Sequence, residues 1–155
     1  MSIAISPSVD STYGALNGYG DATSGQVPAV SSRIEATSAD TVQFANVDSF
    51  SPTPILHSAI GFPDASVFPA VPYAFPTSGP VGSTIGSSLW STGIISPGNS
   101  SSVCYSAAFT VAPGTYLFGD FDYYNLALVR GVLVVTASTN SHRRAAMPLQ
   151  KGLSR

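Results

Sequence analysis

Pro113-Gly114-Thr115-Tyr116-Leu117-Phe118-Gly119-Asp120-Phe121-Asp122-Tyr123-Tyr124-Asn125-Leu126-Ala127-Leu128-Val129-Arg130-Gly131-Val132-Leu133-Val134-Val135 divides into a Pro-Gly turn, a short aromatic strand, an acidic and aromatic loop, and a closing β-branched strand. A Pro-Gly pair followed by Tyr-x-Phe fits a turn feeding a pleated, half-buried strand. Val-Leu-Val-Val after Gly131 is a continuous apolar run, the pattern of a strand buried on both faces or nearly so. A loop held between two such strands is where chemistry would sit, because rigid strands position their connections.

Working outward, Arg33-Ile34-Glu35-Ala36 and Asp40-Thr41-Val42-Gln43-Phe44-Ala45-Asn46 read as two strands around a Ser38-Ala39-Asp40 turn. Val42 and Phe44 face one way, and Thr41 and Gln43 the other. Ser88 to Ile95 and the alternating Ser102 to Val111 supply further strands. Between the strand ending at Asn46 and Ser88, residues 48 to 88 carry Pro52, Pro54, Pro63, Pro69, Pro72, Pro76 and Pro80, which deny continuous ladders or helices. Phe62, Phe68, Tyr73 and Phe75 are expected to pin this excursion as a hydrophobic lid over one end of the core. The sum is an all-β, Greek-key β-sandwich of seven or eight short strands with no helix. Residues 1–28 form an extended Gly/Ser/Tyr-rich arm with a strand expected in Ser2 to Ile5 or near Tyr13. Residues 29–138 are the sandwich, and 139–155 a basic tail expected to be disordered.

Composition narrows the function. Only 9% of the 155 residues are charged, against about 25% in an average soluble domain. Solubility must come from hydroxyls, which suits an extracytoplasmic protein, secreted or at the cell surface. A net charge of −2 gives no basic face for nucleic acid. Four of the six cations lie in the last thirteen residues, and all eight acids lie at or before Asp122. Cys104 is the single cysteine and sits in a strand pattern, where a buried structural thiol is expected. No apolar run is long enough to span a bilayer, and Met1 to Ile5 lacks the pattern of a secretory signal peptide. Asn99-Ser100-Ser101 fits the glycosylation pattern. No nucleophile and base stand in a recognisable order, so no enzyme activity is expected.

Five landmarks then coincide in order. They are Asp40-Thr41-Val42-x-Phe44-x-Asn46-x-Asp48, His57-Ser58-Ala59, Trp90-x-Thr92-Gly93-x-Ile95-x-Pro97-Gly98, Pro113-Gly114-Thr115-Tyr116-x-Phe118 and Arg130-Gly131-Val132-Leu133-Val134-Val135. Together, over roughly residues 30 to 136, the chain resembles the cupredoxins, the plastocyanin-like β-sandwich family. The resemblance implies a copper centre of two His, a Cys thiolate and a weak Met, soft donors in a trigonal set. Carried over position by position, His57 matches the first ligand. Asp120 stands where the Cys would be, Tyr123 where the second His would be, and Leu128 or Val129 where the Met would be. The resemblance thus implies a scaffold without its copper chemistry: no cofactor and no metal, with His57 hydrogen-bonded in its loop and the tyrosine rings capping the core. The expected function is a non-catalytic structural or binding module. The arm is expected to make a homo-oligomer or filament by adding a strand to a neighbour's sheet edge. The alternatives are a copper-binding electron-transfer protein with an altered site, and a metal or acid/base site built on His57 with Asp120 and Asp122.

Overall fold

The computed structural model describes residues 33–46, 56–63, 65–72, 79–97, 103–125 and 129–139, and the backbone of 2–4, 7–10, 14–18 and 20–21. Among them there are twelve strands and no helix: β1 (Ser2–Ala4), β2 (Pro7–Asp10), β3 (Gly14–Gly18), β4 (Gly20–Asp21), β5 (Arg33–Thr37), β6 (Thr41–Asn46), β7 (Ile60–Phe62), β8 (Thr84–Ile85), β9 (Cys104–Tyr105), β10 (Phe109–Val111), β11 (Gly114–Gly119) and β12 (Val129–Thr136). Eight of these fall in the expected sandwich and four in the arm. The expected tail beyond residue 139, Tyr73, Phe75, Leu128 and the Asn99 pattern lie outside the described residues.

Two sheets form. The first runs β4-β1-β6-β10-β8, with β9 also on β6; the second runs β2-β3-β12-β11-β7, with β5 also on β12. The aromatic and β-branched strands of the opening stretch are neighbours, β11 and β12, in a six-residue antiparallel register from Gly114↔Val135 to Gly119↔Arg130. Gly114 opens that hairpin because a side chain there would meet the Tyr116 phenol at 2.6 Å. The Tyr116 hydroxyl folds back over the turn, 3.0 Å from both the Ala112 and Pro113 carbonyls, and burial raises its pKa above the ordinary value.

The turn at 38–40 does not make a hairpin. It carries the chain from β5, which lies parallel to β12 in the second sheet, to β6 in the first. The alternation read from the sequence then places Val42 and Phe44 inward with Ile34 and Ala36. Phe44, Trp90, Phe109 and Phe118 meet at the centre, with ring centroids 5.4 to 6.0 Å apart. Each fully buried aromatic contributes roughly 2–3 kcal/mol of transfer free energy, so this cluster is the main cohesive term.

The residues from Ser88 to Ile95 are not a regular strand. His57 pairs with Ile95 and Ile60 with Ser91; two residues on one side therefore oppose three on the other, which is a β-bulge. Gly93 takes the positive φ of 66° that the extra residue requires. The hydroxyls of Ser91 and Thr92 replace the missing ladder: Gly93 N–H donates to Ser91 Oγ at 3.1 Å, and Ala59 N–H to Thr92 Oγ1 at 2.8 Å. Ser91 also pairs with Val81, so this segment stitches β7 to the residues leading into β8.

Among the described residues the Pro-rich excursion does not form a lid over one end of the core. It includes β7 and β8, Ile85 of β8 enters the main core, and Ala65 and Phe68 lie on the outer face of the second sheet. Ile60, Phe62, Leu117, Tyr124 and Val132 form a separate cluster there, with Ala65, Phe68, Phe121 and Val134 against it. Proline removes ladder donors, so over residues 65–72 side-chain packing supplements backbone bonds such as that from the Ala65 N–H to the Phe62 carbonyl at 3.1 Å.

Candidate functional site

The chain ends of three elements converge where the resemblance places a metal centre. Asn46 closes β6 and is fully buried; its Nδ2 donates to the Ile95 carbonyl at 3.0 Å. Ile95 in turn exchanges backbone hydrogen bonds with His57, at 2.7 and 3.2 Å, which fixes the His57 backbone. Asp120 follows β11 directly, and its own N–H donates to the Val129 carbonyl at the start of β12.

The His57 and Asp120 side chains, both buried, meet at 2.9 Å between Nδ1 and Oδ2. The same Oδ2 accepts the Ser58 N–H at 2.9 Å. Oδ1 accepts the Asp122 N–H at 2.9 Å and the Tyr123 N–H at 3.1 Å. Backbone N–H groups only donate, so Asp120 is the acceptor throughout and Nδ1 of His57 carries the hydrogen of their contact. Ser58 Oγ completes the set by accepting the Phe121 N–H at 3.0 Å. A carboxylate offers about four acceptor directions, and all are used here. Asp120 therefore folds its own loop in an Asx turn and locks it to the His57 segment.

These donors do not fit a copper centre. The atom pair facing inward is an imidazole N–H and a saturated carboxylate, where the family needs two imidazoles and a soft thiolate. Among the described residues no three His, Cys, Asp or Glu side chains group to hold a metal ion. Asp122 is exposed, and only its backbone reaches Asp120. Cys104 sits half-buried on β9, its Sγ 3.7 Å from the Pro97 carbonyl; the expected thiol is thus packed against the core without being fully enclosed.

Tyr123 lies with its ring centroid 5.4 Å from that of His57, tilted by 54°, and packs against the main core. Tyr124 does not cap that core. It is fully buried in the outer cluster, where its hydroxyl donates to the Pro69 carbonyl at 2.5 Å. Sequence reasoning brought His57, Asp120 and Tyr123 together but missed why: the Asp-x-Asp-Tyr spacing after a strand is an Asx-turn signal, and Ser58 is its second anchor.

No family model and no curated protein matches the chain. Two solved structures similar to it are auracyanin B, with a TM-score of 0.41, 18% identity, and 69% of this chain and 78% of that chain covered, and dithionite-reduced auracyanin from the photosynthetic bacterium Roseiflexus castenholzii, with a TM-score of 0.41, 18% identity, and 68% and 84% covered. Auracyanins are cupredoxins, and the likeness is one of fold alone.

Proposed function

We propose that this chain is a non-catalytic structural or binding module on a cupredoxin-like scaffold, working outside the cytoplasm and assembling through residues 1–28. The observation that carries this reading is Asp120. At the position where the resemblance puts a copper thiolate, its carboxylate is spent on His57 and three backbone N–H groups. A side chain so used organises a loop and has no lone pair left for a metal. The extracytoplasmic placement is supported by a charged fraction of 9%, with hydroxyls carrying solubility. Elemental analysis of the purified protein alongside its native mass tests both halves. Absence of stoichiometric metal with a mass above one chain supports the module. Copper at one per chain, with a blue colour, overturns it in favour of an electron-transfer protein.

A further inference from the structure

We propose that the arm is an exchangeable clasp, whose β1 and β3 take on a second copy the same strand positions they take at home. The inference rests on the assembly reading above and adds its route. The arm reaches both sheets. β1 lies parallel to β6 with Ser2↔Gln43, Ile3↔Phe44 and Ala4↔Ala45 in register, and β3 lies parallel to β12 with Asn17↔Val129 and Arg130↔Gly18 in register. Within the arm, β2 pairs β3 and β4 pairs β1.

Three features make exchange the expected behaviour. First, the arm is joined to the body by registers of three and two residues, where β11 and β12 share six; the attachment is short beside the pairing that holds the body together. Second, the edges it covers belong to central strands. β6 already holds β9 and β10 on its other side, and β12 holds β11 on one edge and β5 from Val132 to Thr136 on the other. Losing the arm therefore bares the free edge of β6 and the start of β12 at Val129 and Arg130, whose unpaired backbone groups demand a strand from somewhere. A second copy offers the identical sequence. Third, Gly14, Gly18 and Gly20 flank or lie within these strands, and glycine-rich strands specify their partner weakly and are prone to swapping. The eleven residues 22–32 that join the arm to β5 contain Gly25, Pro28 and three serines; fully extended they span about 36 Å, enough to reach a neighbour's edge.

The test uses the full chain with Cys104→Ser as background. One preparation carries Ser2→Cys, a second Gln43→Cys, and a third both on one chain; Trp90 fluorescence confirms that each retains its core. The double variant is expected to form a disulfide within one chain, which verifies the Ser2↔Gln43 register. The two single variants, mixed at high concentration, warmed and oxidised, are expected to yield a reducible heterodimer that mass spectrometry distinguishes from either homodimer. A link within the chain but none between chains overturns exchange; a native mass above one chain would then leave assembly standing by another surface. A native mass of one chain removes the assembly reading and the clasp together. No link in any preparation overturns the register on which the proposal stands.

Discussion

Strand β12 is buried on both faces, but two different kinds of structure bury it. Its inner face, with Val129, Leu133 and Val135, meets the aromatic centre of the sandwich, where two sheets supply interdigitating side chains on ladders. Its outer face, with Val132 and Val134, meets a cover made by β7 and by the stretch that follows it, whose described residues 65–72 form no strand. Antiparallel sandwich sheets commonly leave that outer face to water, and the continuous apolar run after Gly131 is the sequence trace of a cover instead. Ring contacts and a hydrogen bond tie the cover down. Phe62 and Tyr124 meet edge to face at 5.5 Å, the Tyr124 hydroxyl holds Pro69, and the Arg130 guanidinium lies 4.1 Å over the Tyr124 ring and 5.5 Å from that of Phe68. The difference teaches that the inner face sets whether the chain folds and the outer face sets how firmly one segment stays down.

The largest break in the comparison comes from the inner face. Phe118→Ala removes a fully buried ring that touches both Phe44 and Trp90 and is expected to cost about 3–5 kcal/mol. Urea denaturation should show it as a lower midpoint, with β-structure and Trp90 fluorescence lost together. A loss confined to one probe would show that the sandwich is not one cooperative unit.

Phe68→Ala acts on the outer face, where the ring is half-buried, and is expected to cost about 1–2 kcal/mol. Its signature is local: limited proteolysis should nick within residues 63–72 while the urea midpoint moves little. Equal loss on both measures would merge the two faces into one. Arg130→Met keeps much of the stem and removes the cation over Tyr124; it is expected to cost about 0.5–2 kcal/mol and to raise the same cleavage less than Phe68→Ala does.

How far the sequence announced this depends on whether the pattern was local. The alternation of Val42 and Phe44, the Pro113-Gly114 turn that feeds β11 and the doubly buried run after Gly131 are properties of short windows, and all three stand in the fold. What covers β12 from outside was not legible, because Phe62 and Phe68 carry no period that distinguishes a sheet face from a core end. Trp90 to Ile95 reads as β and is bulged, since one inserted residue changes pairing without changing composition. At the candidate site the departure of Asp120 from the family pattern was visible, while its replacement role depended on Ser58, sixty-two residues away.

The smallest expected effect lies outside both faces, at the turn where the chain leaves the second sheet for the first. Asp40 Oδ2 accepts the Thr37 N–H at 2.7 Å and the Thr37 hydroxyl at 2.8 Å. The backbone bond first, and the hydroxyl second, hold its carboxyl below the ordinary value of 3.8. A depressed folded pKa means that the unfolded chain binds the proton more readily. The stability from Asp40 is therefore complete above the ordinary value and is lost as pH falls through the lower, folded one. Asp40→Asn should flatten that part of the acid limb of the stability curve, and Thr37→Val, which keeps the stronger backbone donor, should flatten it less. Neither substitution touches a residue of either cluster, so cleavage within 63–72 should stay at the parent level at neutral pH. A rise there would mean that the turn between the sheets also governs the outer cover, and that the two faces of β12 are coupled through the chain that crosses between them.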